Sequence, residues 1–167
     1  MRADRAKQLL KNGVYRAIGE TITGAGALDG GDERTLRVLM YHKVNDLRPN
    51  PTTVPTSVFA EQMELLGHLG YVPVSLAEVR AHYVDGAPLP EGAVLITFDD
   101  GYRDNLVNAL PILQKHGYPA VIFVPIGFLA GDRPLPHEEA LRSLGVRNET
   151  VGWEELAALE AGGIRVE

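Results

Sequence analysis

The 167-residue chain has no cysteine, which excludes disulfide staples and thiolate metal ligands and leaves no record of the redox compartment. Long hydrophobic runs are missing too, since no stretch reaches the ~20 apolar residues that a membrane-spanning helix needs. Near the N-terminus, Lys11, Asn12, Arg16 and Glu20 interrupt what would otherwise be the apolar core of a secretory signal. The expectation is a chain with no export signal and no transmembrane segment, cytoplasmic by default. Positive charge is in deficit: 16 Lys and Arg stand against 22 Asp and Glu, for a formal net charge of -6. Nucleic-acid binding calls for clustered basic residues facing phosphates, whereas these are scattered among acidic ones, and that class is excluded.

What is present is a 45% hydrophobic composition, enough to build one domain with a real core. Residues 1–34 read as a separate piece. Leu9, Leu10, Val14, Tyr15 and Ile18 recur at helical spacing and suit a docking face, while Gly24, Gly26, Gly30 and Gly31 suit a linker. The main domain is expected over 35–167, with strand-like and helix-like segments in alternation.

Residues 36–42 predict a strand, followed by a Pro- and Asn-rich loop to Pro55. A helix over 57–69 would carry Phe59, Met63, Leu66 and Leu69 on one face. An extended piece at 71–74 leads to a helix that Ser75 and Glu78 can close with a capping box. Residues 93–98 predict a strand, and 103–115 a helix that Pro111 should bend or divide. A strand over 118–124, an irregular stretch over 128–148, a helix over 153–160 and a strand starting at 164 complete the pattern. Strands and helices alternating in this way imply a parallel α/β architecture.

The segment richest in chemistry is Val94-Leu95-Ile96-Thr97-Phe98-Asp99-Asp100-Gly101-Tyr102, an apolar strand that ends in two adjacent carboxylates. Two acidic groups at the end of a buried strand are costly unless a metal or a reaction uses them. In parallel α/β folds functional groups gather at the carboxyl ends of strands. Neighbouring side chains on a strand point to opposite faces, so both aspartates can reach one site only if the chain turns, and Gly101 permits that turn. The alternative is that Asp99 caps the next helix and Asp100 makes a surface hydrogen bond.

Of the five histidines, His42 ends the first predicted strand and belongs to the same rim. His68 and His82 read as solvent-facing or core-edge residues, and His116 as a helix-end residue. His137 falls in the irregular stretch without a second histidine at ligand spacing, and no chemistry is assigned to it.

The string Thr97-Phe98-Asp99-Asp100-Gly101-Tyr102, preceded by Leu39-Met40-Tyr41-His42-Lys43-Val44 and followed by Tyr118-Pro119-Ala120-Val121-Ile122-Phe123-Val124, resembles the first motif of the polysaccharide deacetylases. This is the NodB-homology or carbohydrate esterase 4 family, and the resemblance runs from about residue 37 to 167. It implies an α/β fold that is the N-terminal part of a distorted (β/α) barrel, truncated. The implied activity is that of a metal-dependent hydrolase removing N-acetyl groups from a polysaccharide. Asp99 would be the general base and Asp100 a ligand of a divalent metal, zinc-like. His42 and Tyr102 would face the substrate or support the ligands.

The family's other two metal ligands come from a His-Ser/Thr-x-x-His type motif after the strand that begins at Ile164, and the sequence ends before it. An incomplete metal site is therefore expected. It keeps open a second class, a catalytically inactive truncated barrel or carbohydrate-binding remnant. A third class, the aspartyl-nucleophile phosphohydrolases, needs two aspartates separated by one residue, and here they are adjacent. The identity of the glycan is not legible in the sequence.

Overall fold

The computed structural model describes residues 36–48, 50–131 and 133–167; the helix and linker expected over 1–34 lie outside the described residues. Strand β5 (Ala93–Phe98) organises the sheet. All six of its residues are buried, as an unbroken apolar run should be when both faces are covered. It pairs in parallel with β1 (Arg37–Tyr41) on one side and β6 (Ala120–Ile122) on the other. Beyond β6 lies β7 (Ile164–Val166), and β4 (Val72–Pro73) runs along the N-terminal end of β5.

Every one of these pairings is parallel, so the strands open their carboxyl ends onto one rim. In register, Phe98 faces Tyr41 on one side and Ile122 on the other. His42, Asp99 and Phe123 therefore leave the sheet at the same level.

Helix α1 (Thr56–His68) packs Phe59, Met63 and Leu66 into the core. Leu69, expected on that face, is 59% exposed because the helix stops one residue earlier. The Phe59 ring meets Tyr41 edge-on at 5.1 Å, and the Tyr41 hydroxyl donates to Gln62 Oε1 at 2.9 Å. Helix α2 (Leu76–Asp85) opens with the capping box expected at Ser75 and Glu78.

The helix expected over 103–115 is divided. Asn105–Ala109 forms a π-helical turn, and α3 (Leu110–His116) follows with Pro111 in its first turn, where a missing N–H costs least.

Two stretches read as irregular are more ordered than their composition suggests. The loop after β1 contains a short parallel ladder between β2 (Lys43–Val44) and β3 (Thr53–Val54). The stretch after β6 contains single helical turns at Ile126–Gly131 and Pro136–Glu138 and helix α4 (Glu139–Ser143). It then returns to the rim through a Tyr102–Thr150 bridge before α5 (Trp153–Ala161). Among the described residues no helix is long and apolar enough to cross a membrane.

At the start of α2, the Ser75 hydroxyl accepts from the Glu78 N–H at 3.2 Å while Glu78 accepts from the Ser75 N–H at 2.8 Å. Ser75→Ala removes one half of this exchange and is expected to cost about 1 kcal/mol. Urea unfolding measures it, and an unchanged midpoint would show that the cap contributes nothing.

Candidate active site

The chain leaves β5 through two consecutive left-handed residues, Asp100 at φ 71° and Gly101 at φ 64°. This turn re-aims the backbone between the two aspartates. Glycine is needed at 101 on two counts: the conformation disfavours a side chain, and a Cβ there would lie 3.0 Å from Val124 Cγ1. Among the described residues, only Thr52 and Asp100 adopt positive φ without being glycine. Both line the same pocket, and strained backbone of this kind concentrates at functional sites.

That pocket has a volume of about 320 Å³ and is lined by His42, Lys43, Pro51, Thr52, Asp100, His137, Glu138 and Leu141. Asp100 Oδ2 lies 3.4 Å from His137 Nε2 and 3.9 Å from His42 Nε2. Burial pushes the Asp99 carboxyl above its ordinary value, His42 pulls it down, and the neighbouring Asp100 pushes it up again, with the upward influences prevailing. A carboxylate with a raised proton affinity is the stronger proton acceptor.

On one side the pocket wall is part of a buried polar network. Lys43 and Glu138 are both sealed from solvent and pair at 2.6 Å. The Tyr102 hydroxyl donates to Glu138 Oε1 at 2.7 Å, and Asn148 donates to Oε2. Burial alone would raise the Glu138 carboxyl, but the hydrogen bonds from Lys43, Asn148 and Tyr102 outweigh it and hold the group below its ordinary value. The Tyr102 hydroxyl is driven strongly upward by burial and by Glu138 and keeps its proton.

The π-helical turn supports the other wall. Asn105 donates to the His42 carbonyl at 3.0 Å, Asn108 donates to the Val44 carbonyl at 2.7 Å, and Asp104 accepts from the Val44 N–H at 3.2 Å.

The structure thus brings His42 and Asp100 together, with Asp99 adjacent to them. It places Tyr102 behind the wall, 1% exposed, where its hydroxyl contacts His137 and Glu138. His137, assigned no chemistry from sequence, lines the pocket beside Asp100, and Lys43 and Glu138 were not singled out at all. One signal was available: Lys43 follows an apolar strand directly, and a lysine buried there requires an acidic partner. Which glutamate would answer it depends on how residues 133–148 fold over the rim. His68 and His82, by contrast, bond only local carbonyls of Glu64 and Ala87.

A family model described as polysaccharide deacetylase matches residues 86–167. Over that stretch, just under half of its length, the chain matches the polysaccharide deacetylase family. A poly-beta-1,6-N-acetyl-D-glucosamine N-deacetylase of Escherichia coli (strain K12) is 42% identical over 91 residues, 53% of this chain and 13% of that protein. YxkH of Bacillus subtilis (strain 168) is 33% identical over 129 residues, 77% of this chain and 45% of that protein. The chain thus spans less than half the length of either relative. The structure of IcaB from Ammonifex degensii superimposes with a TM-score of 0.65 at 27% identity, covering 78% of this chain and 51% of that one. The parallel sheet and its helices are accordingly part of this family's (β/α)-barrel fold.

Of the two aspartates, Asp100 is the one that lines the pocket. Among the described residues no group of three or more His, Cys, Asp or Glu is arranged to hold an ion, so these residues do not complete a metal site.

Gly101→Ala is expected to destabilise the fold by roughly 1–2 kcal/mol from the left-handed conformation alone, with the Val124 contact adding to it. A denaturation midpoint equal to that of the unmodified chain would contradict this account. Glu138→Gln leaves the Lys43 ammonium buried and unpaired, and is expected to cost about 3 kcal/mol or more. The glutamate's lowered carboxyl contributes stability that is present above its ordinary value of 4.5 and lost as pH falls through the lowered value. The glutamine variant should therefore lose less further stability on acidification, which urea midpoints taken across the acid range will show.

Proposed function

We propose that this chain carries the water-activating part of the active site of a metal-dependent polysaccharide N-deacetylase, with Asp99 as general base and Asp100 as a metal ligand. The observation that carries the reading is the pair itself. Asp99 ends the central strand with its proton affinity raised, and Asp100 is turned by a left-handed backbone into a pocket lined by two histidines. The family match over 86–167 supports it.

In this reading the substrate's N-acetyl group enters the pocket. Asp99 accepts a proton from water as the water oxygen bonds to the acyl carbon. The C–N bond then breaks, acetate leaves, and the sugar nitrogen takes up a proton to become a free amine. A divalent ion, zinc-like, would supply a polarised carbonyl and a more acidic water when bound. His42 faces the substrate from the pocket wall, while Tyr102 acts from behind it. The substrate class is an N-acetylated polysaccharide, and the name of the Escherichia coli relative makes poly-β-1,6-N-acetyl-D-glucosamine the first to try.

A second reading, a barrel that binds carbohydrate without turnover, draws on the lack of a three-residue metal cluster among the described residues. Acetate release from that polymer, with divalent ion added, separates the two. Under the first reading, Asp99→Asn lowers release by about 100-fold or more. Release that survives Asp99→Asn at full rate overturns the base assignment, and retention of the glycan with no acetate formed supports the binding reading.

A further inference from the structure

We infer that Leu141 sets the acyl specificity of the pocket: it is the surface on which the methyl group of an N-acetylated sugar is seated, and it leaves no room for a longer acyl chain. The inference rests on the reading that the pocket receives an N-acetyl group, which the catalytic and the binding-only readings share.

The lining of the pocket divides by chemistry. Asp100 Oδ2 forms a polar cluster with His137 at 3.4 Å and His42 at 3.9 Å, and Lys43, Glu138 and Thr52 add further polar heads. Only Pro51 and Leu141 among the lining residues are apolar. An N-acetyl group has the same division, with a carbonyl and an N–H that need hydrogen-bond partners and a methyl that cannot use one. Burial separates the two apolar residues. Pro51 is exposed, whereas Leu141 is only 7% exposed, so Leu141 is the apolar surface that a methyl group leaving water meets.

Leu141 is also a wall that cannot easily yield. It follows Glu138 by three positions on the helical stretch formed by Pro136–Glu138 and α4, and residues so spaced share a face. Glu138 is anchored to Lys43 at 2.6 Å, which fixes that face at the pocket. Towards the other end of α4, the Leu141 carbonyl accepts from the N–H groups of Leu144 and Val146, each at 3.0 Å. A side chain held between a buried ion pair and a closed helix end has little freedom to retreat. A wall of this kind discriminates against one added methylene by about tenfold or more.

The test follows the methyl group itself and needs no turnover. Oligomers of β-1,6-linked N-acetyl-D-glucosamine, and the same oligomers N-propionylated, are titrated into the full chain carrying 13C-labelled leucine methyls. A Leu141→Ala spectrum assigns the Leu141 signals. The expected result is a nuclear Overhauser contact from the acetyl methyl to the Leu141 methyls, with the propionyl oligomer binding more weakly by about tenfold or more. In Leu141→Ala the two oligomers should bind with nearly equal affinity. Leu144→Ala, at the exposed end of the same helix, should leave the preference intact.

An acetyl methyl that contacts other side chains and not Leu141 overturns the inference, whether or not the alanine variant folds. So does an oligomer that fails to bind, or a folded Leu141→Ala chain with its preference unchanged. Acetate release is measured separately on the unmodified chain. Acetate formed without the Leu141 contact leaves the deacetylase reading standing and removes this inference, and the contact without acetate does the reverse.

Discussion

A lysine sealed from water dictates much of this structure. An ammonium with no solvent contact is costly by several kcal/mol unless a carboxylate and further hydrogen bonds compensate it, and Lys43 finds its carboxylate 95 positions later in Glu138. That pairing holds the segment around α4 against the loop after β1, on the rim where β5 ends. Tyr102 joins through its hydroxyl, and the Lys43 ammonium also lies 5.0 Å from the centre of its ring. Three elements distant in sequence thus share one charge. Apolar side chains of similar size could hold them at least as firmly, but would not specify which oxygen the Tyr102 hydroxyl donates to.

The strained backbone is held by the same surroundings. Asp100 keeps its left-handed conformation because the residues on either side are pinned: the Asp99 N–H donates to the Tyr41 carbonyl at 2.9 Å and Val151 N–H to the Gly101 carbonyl at 2.9 Å. Strain of about 1–3 kcal/mol per residue persists only where neighbours over-determine the geometry. Here it has a chemical consequence. The two aspartates, adjacent in sequence, take different environments, one ending the strand with its carboxyl raised by burial and the other open to the pocket and faced by imidazoles.

The parts legible in the sequence were those set by short-range rules. The six-residue apolar run of β5, the Ser75 capping box and the break enforced by Pro111 each follow from local chemistry, and each is found where expected. The rim position of Asp99, Asp100 and His42 followed from strand ends in a parallel sheet. What was not legible depends on contacts across long separations. Pro136-His137-Glu138-Glu139 falls in the stretch read as irregular, and only the buried Lys43 makes a core residue of Glu138. The π-helical turn was hidden for a similar reason, since its side chains are chosen for partners some 60 residues earlier, in the loop after β1.

That turn explains why the pocket can be ready before anything binds. Asp104, Asn105 and Asn108 do not face the pocket contents; they grip the main chain at His42 and Val44, fixing one histidine through its backbone. The Lys43–Glu138–Tyr102 network fixes the other through its ring. The arrangement has a cost: among the described residues Asn105 Oδ1 is the buried side-chain atom left without a hydrogen-bond partner, a loss on the order of 1–3 kcal/mol. A fold selected for stability alone would not retain an unsatisfied amide beside a buried ion pair and two left-handed residues. Together they spend stability to orient polar groups in advance, which is the condition under which fixed dipoles stabilise developing charge without reorganising during the reaction.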